Sequence, residues 1–231
     1  LKIAEISVDY LGGFGSDATV VNAARVSFHK ECAEFEEKDT KLIKYLAKHK
    51  HFSPFNHAFL SFRVKAPIFV ARQLVKHKFL PWNEVSRRYV DEEPEFYMPD
   101  GWRERGENIK QGSGEGFVTE YVFREFDGSG HPHQHGVDEG AEQVAEQAVE
   151  WALESYNAML YAGVAPEQAR MLLPQNMMTE WIWSGTLGAF LDMLVLRLDP
   201  HTQKESRDVA NLIAMHVERV FPVSFDARIN Q

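Results

Sequence analysis

The 231-residue chain is 44% hydrophobic, enough for a sizeable core, and carries a formal charge of −9 at pH 7. That acidic balance argues against general nucleic-acid binding, which needs broad positive surface. The single cysteine, Cys32, excludes an internal disulfide, and no apolar run approaches the ~20 residues of a membrane span. With no signal-peptide pattern at its start, the chain is expected to be cytoplasmic, with neither membrane nor nucleic acid as a partner.

Lys2 to Val8 alternates as a strand does, and Gly12-Gly13-Phe14-Gly15 is expected to break it with a turn, since these glycines lack the spacing of a dinucleotide fingerprint. Asp39-Thr40 is expected to cap a helix running to Lys50, with Leu42, Ile43 and Leu46 as its buried stripe. From His57 to Lys65 the period is two: Ala58, Leu60, Phe62 and Val64 share one face, and Phe59, Ser61 and Arg63 the other. Pro67 suits a first helical position, so Ile68 to Lys76 is expected to be a helix. Pro81 forbids its continuation, and Phe79 to Ser86 is expected to be a loop.

This passage is a basic island in an acidic protein. Ser61 to Val90 holds seven Lys or Arg and one acid, Glu84, a formal +6 that leaves −15 for the rest of the chain. Like charges packed together repel, so the island calls for an anion beside it. It is also chemically mixed. Gln73, Asn83, Glu84 and Ser86 offer hydrogen bonds, and Phe79, Trp82 and Tyr89 offer flat apolar surface. A merely solvated basic face would show Lys and Arg spaced by other polar residues.

Beyond the island, Glu92 to Pro99 is expected to be extended, and Asp100 to Gly140, polar and Gly-rich, to be a mobile surface loop. His131, His133 and His135 alternate within it. No Cys, Asp or helix pairing accompanies them, so neither a metal site nor a metal-dependent phosphohydrolase is expected. Glu142 to Ala162 has helical period, with Val149, Leu153, Tyr156 and Leu160 on one face and Gly163 as its stop. A second helix from Pro166 stops before Pro174 and carries Arg170. Glu180 to Ser184 is strand-like, Leu187 to Leu198 an apolar helix, and Gln203 to Phe221 an amphipathic one. Arg197 falls in the last turn of the apolar helix, where a cation suits the helix dipole whether or not it has a ligand. Few strands, long helices and no run of βαβ units predict an α+β fold in one domain.

The triplet Lys76-His77-Lys78, then seven residues, then Ser86, with Arg88-Tyr89 after it, resembles the defining motif of the flavin-dependent thymidylate synthases. Further blocks are similar in the same order: His51-Phe52-Ser53-Pro54-Phe55-Asn56-His57, Ala66 to Gln73, Glu95 to Pro99, Ala169 to Pro174, and Leu196 to His201. The likeness runs from about Ala23 to Phe225, with one divergent insertion at about residues 100–140. It implies a central, mainly antiparallel sheet flanked by long helices, in an obligate homotetramer whose active sites are shared between subunits. It also implies the reaction: methylation of dUMP to dTMP, with methylenetetrahydrofolate as carbon donor, FAD as hydride carrier and NADPH as reductant.

Carried over residue by residue, the resemblance makes Arg197 the catalytic residue, polarising the uracil. It places Gln73, Lys76, Glu84, Val85, Ser86, Arg87, Arg88 and Arg170 with Arg197 at dUMP. Ser53, Lys76, His77, Lys78, Glu84, Thr186, Gly188, Asp192 and His201 are implied at FAD, and His51 near the flavin and folate. Ser86 is assigned to binding and not to covalent attack, because no base accompanies it in sequence. Cys32, flanked by Glu31 and Glu34, is a poor thiolate and is expected to be structural. The chain departs from the family at Lys76 and Lys78, where arginines are usual, and at Thr186, Gly188 and Asp192, where shorter members often carry Asn, Arg and Asn. Lysines make single-point contacts where guanidinium forks make two. These departures support one competing function, a non-catalytic nucleotide-binding module that has lost its flavin. Retention of Ser53, His77, Glu84 and His201 opposes it.

Overall fold

The computed structural model describes residues 1–89, 92–108, 112–126 and 132–230, with 120–126 and 132–139 described by backbone alone. In chain order its elements are β1 (Lys2–Ile3), β2 (Ser7–Phe14), α1 (Asp17–Arg25), α2 (Glu37–Lys48), β3 (Phe59–Pro67), α3 (Ile68–Leu74), β4 (Trp82–Glu84) and β5 (Glu95–Phe96). There follow β6 (Glu120–Phe126), β7 (Pro132–Gly140), α4 (Ala141–Tyr161), α5 (Pro166–Ala169), β8 (Met178–Thr186), α6 (Leu187–Arg197), α7 (Lys204–Val220) and α8 (Pro222–Ile229). The content is α+β, and packing divides it into two compact units: Glu5–Val85 with Met178–Gln231, and Leu1–Ala4 with Ser86–Met177.

The larger unit is built on an antiparallel sheet in the order β2-β3-β8-β4. The two-residue period of β3 sets its buried face. Leu60, Phe62, Val64 and Ala66 are buried, and the register Phe62↔Trp183 and Val64↔Trp181 puts both β8 indoles on that same side. α6 covers it with Leu187, Phe190, Leu191 and Leu194, and α7 adds Val209, Ile213 and Val217. Phe190 meets Trp183 and Phe62 edge-on, with centroids 5.7 and 5.0 Å away. The opposite face of the sheet is more open, with exposed Phe14 and Phe59 at one end and polar ties across it from Ser61–Ser184 (Oγ to Oγ, 2.8 Å) and Arg63–Glu180 (2.8 Å).

Several expected boundaries move, each for a local reason. The expected strand Lys2 to Val8 is split between β1 and the start of β2, which lie in different sheets, and Gly12 and Gly13 do not break the latter. β2 runs through them to Phe14 with a bulge after Tyr10, and a Cβ on Gly13 would lie 2.4 Å from the Phe59 carbonyl oxygen. The turn comes at Gly15 instead, at φ +94°. Asp39 is not the cap of α2 but its third residue: its buried carboxylate accepts the Glu36 N–H at 2.8 Å and pairs with Arg25. The expected loop at Phe79–Ser86 contains β4, because three residues pair with the edge of β8 and satisfy backbone groups it would otherwise expose. α8 was not anticipated. It starts on Pro222 and is capped from the far end of the chain by Asp17, which accepts the N–H groups of Val223 and Ser224 at 2.9 Å each.

In the smaller unit β1 and β5 pair in parallel, and Phe96 is fully buried beside Met177. α4 buries Val149, Leu153 and Tyr156, as its period predicts, and ends at Gly163 in the left-handed region. The expected mobile loop instead holds the antiparallel pair β6–β7, with Val122 opposite Gly136 and Phe126 opposite Pro132. The run 120–126 is rich in aromatic and β-branched residues, and pairing satisfies its backbone. His133 and His135 lie on β7, while His131 lies outside the described residues.

Because Asp17 serves two backbone donors of a buried helix start, Asp17→Ala should lower unfolding stability by about 2–3 kcal/mol. Urea denaturation of parent and variant measures this, and a loss below about 0.5 kcal/mol would mean that α8 is held by its apolar face alone.

Candidate active site

Gln73, Lys76, His77 and Lys78 come from the end of α3 and the turn after it, Glu84 from β4 and Val85 from the residue just beyond it, and Arg197 from the last turn of α6. All belong to the larger unit. Helix period returns Arg197 to the edge of the apolar face of α6, and its Nε donates to His77 Nε2 at 2.9 Å. A guanidinium cannot accept, so His77 Nε2 must be a bare lone pair and the ring proton sits on Nδ1. Burial, and next the Arg197 charge, depress His77 from 6.5 to about 4. Burial also lowers Arg197 from its ordinary value. The imidazole is therefore neutral at physiological pH and spends its lone pair on one nitrogen of Arg197. The other two nitrogens, Nη1 and Nη2, have no partner among the described residues and form an open fork.

Glu84 is exposed yet held by both oxygens: Oε2 accepts from Trp82 Nε1 (3.0 Å) and Oε1 from Thr179 Oγ1 (2.7 Å). The Trp82 ring stacks on Trp181, 4.2 Å between centroids at 17°, and meets Trp183 edge-on. Val85 N–H donates to the Glu180 carbonyl at 2.9 Å, which pins the end of β4. The buried side-chain oxygen of Gln73 has no hydrogen-bond partner among the described residues. Lys76 and Lys78 are exposed and form no ion pair among the described residues. Ser53 opens the 3-10 turn Ser53–His57 and is exposed.

Around the start of α6 the expected ligand contacts are engaged within the chain. Thr186 Oγ1 donates to Asn56 Oδ1 at 2.8 Å and accepts the Ala189 N–H at 3.2 Å, so it caps the helix. Gly188 is buried, and a Cβ there would lie 2.4 Å from Asn56 Oδ1. Asp192 accepts from Arg228 of α8, whose guanidinium also lies 4.9 Å from the Phe52 ring centre. His201 is exposed, and its backbone N–H and Nδ1 both lie against Asp199 Oδ1. The N–H of His201, and then its ring, hold the Asp199 carboxyl below its ordinary range. His51 follows α2, its ring T-shaped to Tyr45 at 6.1 Å.

Ser86, Arg87, Arg88 and Arg170 belong to the smaller unit. Arg88 Nε lies 3.4 Å from Ser86 Oγ, which it donates to, and its guanidinium lies over the Tyr89 ring at 5.1 Å. Arg87 donates to the Glu92 carbonyl, and Arg170 Nε to the Glu167 carbonyl at 3.3 Å. No base sits beside Ser86 Oγ among the described residues. Cys32 is likewise quiet: burial pushes its thiol up, and the Asp39 carboxylate it donates to (3.3 Å) pushes further.

Sequence reasoning passed over Thr179, Trp82 as a hydrogen-bond donor, Asn56 and Arg228. The first two needed the β4–β8 pairing, which no pattern in Phe79–Ser86 announces. Asn56 stands inside a stretch already singled out, and Arg228 lies on the one helix that was not expected.

His77 offers a direct check. Its depressed value means that, between pH 6.5 and about 4, the unfolded chain binds a proton that the folded chain refuses, so acidification through that window destabilises the fold. Arg197→Met removes the second cause but not the first. The His77 titration followed by imidazole NMR should then move up from about 4 and stay below 6.5. An unchanged value would show that the Arg197 charge does not reach the ring.

The model for the family described as thymidylate synthase complementing protein matches residues 8–223. A flavin-dependent thymidylate synthase of Thermus thermophilus is 38% identical over 213 residues, 92% of this chain and 72% of that protein. The Kosmotoga olearia protein of the same name is 37% identical over 216 residues, covering 94% and 86%. Among solved structures, the UMP/dUMP methylase PolB of Streptomyces cacaoi bound with 5-Br UMP superimposes with a TM-score of 0.78 at 28% identity, covering 100% of this chain and 96% of that one. Its complex with 5-Br dUMP gives 0.79 at 29% identity, covering 98% and 96%. With the fold, the Lys76-His77-Lys78 to Ser86 motif and these matches in agreement, the chain belongs to the flavin-dependent thymidylate synthase family.

Proposed function

We propose that this enzyme converts dUMP to dTMP by reductive methylation at C5, with methylenetetrahydrofolate as carbon donor and NADPH as reductant. The observation that carries the reading is the open fork of Arg197, left by a neutral His77 that takes only Nε. Uracil C5 becomes nucleophilic when negative charge on the ring is stabilised. A fixed guanidinium in a partly desolvated place supplies that stabilisation without reorganising at the moment of reaction. The orphaned Gln73 oxygen is an acceptor for a nucleotide N–H or hydroxyl, and Val85 is fixed beside Glu84 to shape the same edge. In the smaller unit Ser86, Arg87, Arg88 and Arg170 bring a hydroxyl and three guanidinium groups suited to a phosphate.

The donor set fits a flavin dinucleotide in part. Lys76 and Lys78 present unpaired cations, Ser53 a hydroxyl and His201 an imidazole, all exposed and suited to a pyrophosphate. Bound FAD, once reduced by NADPH, would supply the hydride that the carbon donor alone does not. His77, Glu84, Thr186, Gly188 and Asp192 complete the proposed FAD contacts, the last three from positions where they also bond or pack within the chain against Asn56 and Arg228, and His51 beside Tyr45 is the proposed contact for the folate. Exposed Phe14 and Phe59, register partners on the open sheet face, give apolar surface for a second copy of the chain in the proposed homotetramer with shared sites.

A second reading concerns the sugar. The solved relatives are methylases of UMP as well as dUMP, so UMP is a competing substrate here. Incubating the protein with FAD, NADPH, methylenetetrahydrofolate and either nucleotide, with mass analysis of the product, tests both. Methylated dUMP supports the proposal. Methylation of UMP alone would transfer it to the ribonucleotide, and no product from either, with no flavin spectrum on FAD titration, would leave a binding module.

Arg197→Lys keeps a charge but loses the fork, and should raise the methylation barrier by about 2–4 kcal/mol while NADPH reduction of bound flavin changes much less. Single-turnover kinetics separate the half-reactions. Equal losses in both would assign Arg197 to the integrity of the helix end.

A further inference from the structure

We infer that Thr179 and Trp82 are positioning residues that hold Glu84 as a preorganised acceptor for the nucleotide, an inference resting on the proposed dUMP contact of Glu84. An exposed glutamate on a strand of only three residues would ordinarily sample many rotamers. Here each carboxylate oxygen takes one donor, Thr179 Oγ1 at 2.7 Å and Trp82 Nε1 at 3.0 Å. Both donors are themselves fixed. Thr179 is buried on β8, and Trp82 is clamped by its stack on Trp181 and its edge contact with Trp183. The strand carrying Glu84 is locked by the pairing Glu84↔Trp181 and by Val85 N–H on the Glu180 carbonyl.

Two protein donors leave a carboxylate with lone pairs on both oxygens still open. A carboxylate accepts and never donates. Glu84 thus selects a ligand edge that presents N–H or O–H, as the imide of uracil and the hydroxyl of a sugar do. Because its rotamer is set before binding, the ligand does not have to order it. A valine would fill the space of Thr179, and a phenylalanine would keep a smaller aromatic ring against Trp181, yet either would leave Glu84 loose.

The test is a double-mutant cycle read as dUMP dissociation constants by titration calorimetry on the full chain with FAD added, with thermal midpoints recorded for every variant. Glu84→Gln should weaken dUMP binding. Thr179→Val, isosteric but without a donor, should weaken it about five- to thirty-fold, the range expected for residues coupled in one hydrogen-bond network. Thr179→Ser should restore binding to within about three-fold of the parent, since the hydroxyl returns. Trp82→Phe, which keeps a smaller aromatic ring against Trp181 and removes the N–H, should behave as Thr179→Val does. In the Glu84→Gln background Thr179→Val should cost almost nothing further. A Thr179→Val loss of the same size in both backgrounds, or no loss in the parent while Glu84→Gln still weakens binding, overturns the positioning role and leaves the nucleotide reading standing. Unchanged affinity in Glu84→Gln overturns the contact of Glu84 with the nucleotide, and the inference with it.

Discussion

The site turns on one hydrogen bond, from Arg197 Nε to a neutral His77 Nε2 at 2.9 Å. Two cationic side chains at that separation would repel, so the contact exists only because burial and the guanidinium together keep the imidazole uncharged. The same bond decides the tautomer, the direction of the guanidinium plane, and which of its nitrogens are left for a ligand. It joins the turn after α3 to the end of α6, two segments 120 residues apart in the chain.

That core was built to place those two ends. β3 runs into α3 at Pro67 without an intervening loop, and β8 runs into α6 at Thr186 in the same way. Antiparallel pairing of β3 and β8 then sets the starts of the two helices by register, and the Trp181, Trp183, Phe62 and Phe190 packing fixes them at close-packed density. The side chains proposed for the chemistry in the larger unit thus sit at helix ends and on a short edge strand, where a rigid scaffold aims side chains better than a free loop would.

How much of this was legible in the chain depended on range. The period of two from Ala58 to Val64 and the apolar run before Arg197 are local patterns, and both elements came out where those patterns put them. The basic-His-basic triplet and its later serine could be recognised because their spacing is local too. What stayed hidden was set by distant partners. Nothing near Trp82 says that it will pair with β8, and nothing near Asp17 says that it will cap a helix 200 residues away. Thr186, Gly188 and Asp192 show the same limit from the ligand side. Their residue types differ from the family's, yet only the structure shows Asn56 and Arg228 taking up their hydrogen bonds and space. The lone cysteine, judged by its acidic neighbours, is held up by burial and by one acid from α2, a different carboxylate from those adjacent in sequence.

The central claim is that Arg197 stabilises negative charge on the uracil ring and so makes C5 nucleophilic. The chemical shift of C5 in bound dUMP labelled with carbon-13 reports electron density at the reacting atom itself, before any carbon donor is present. The account predicts an upfield shift of that resonance on binding to the parent protein, largely lost on binding to Arg197→Met at saturating nucleotide. An equal shift in both proteins, or none in the parent, would contradict it.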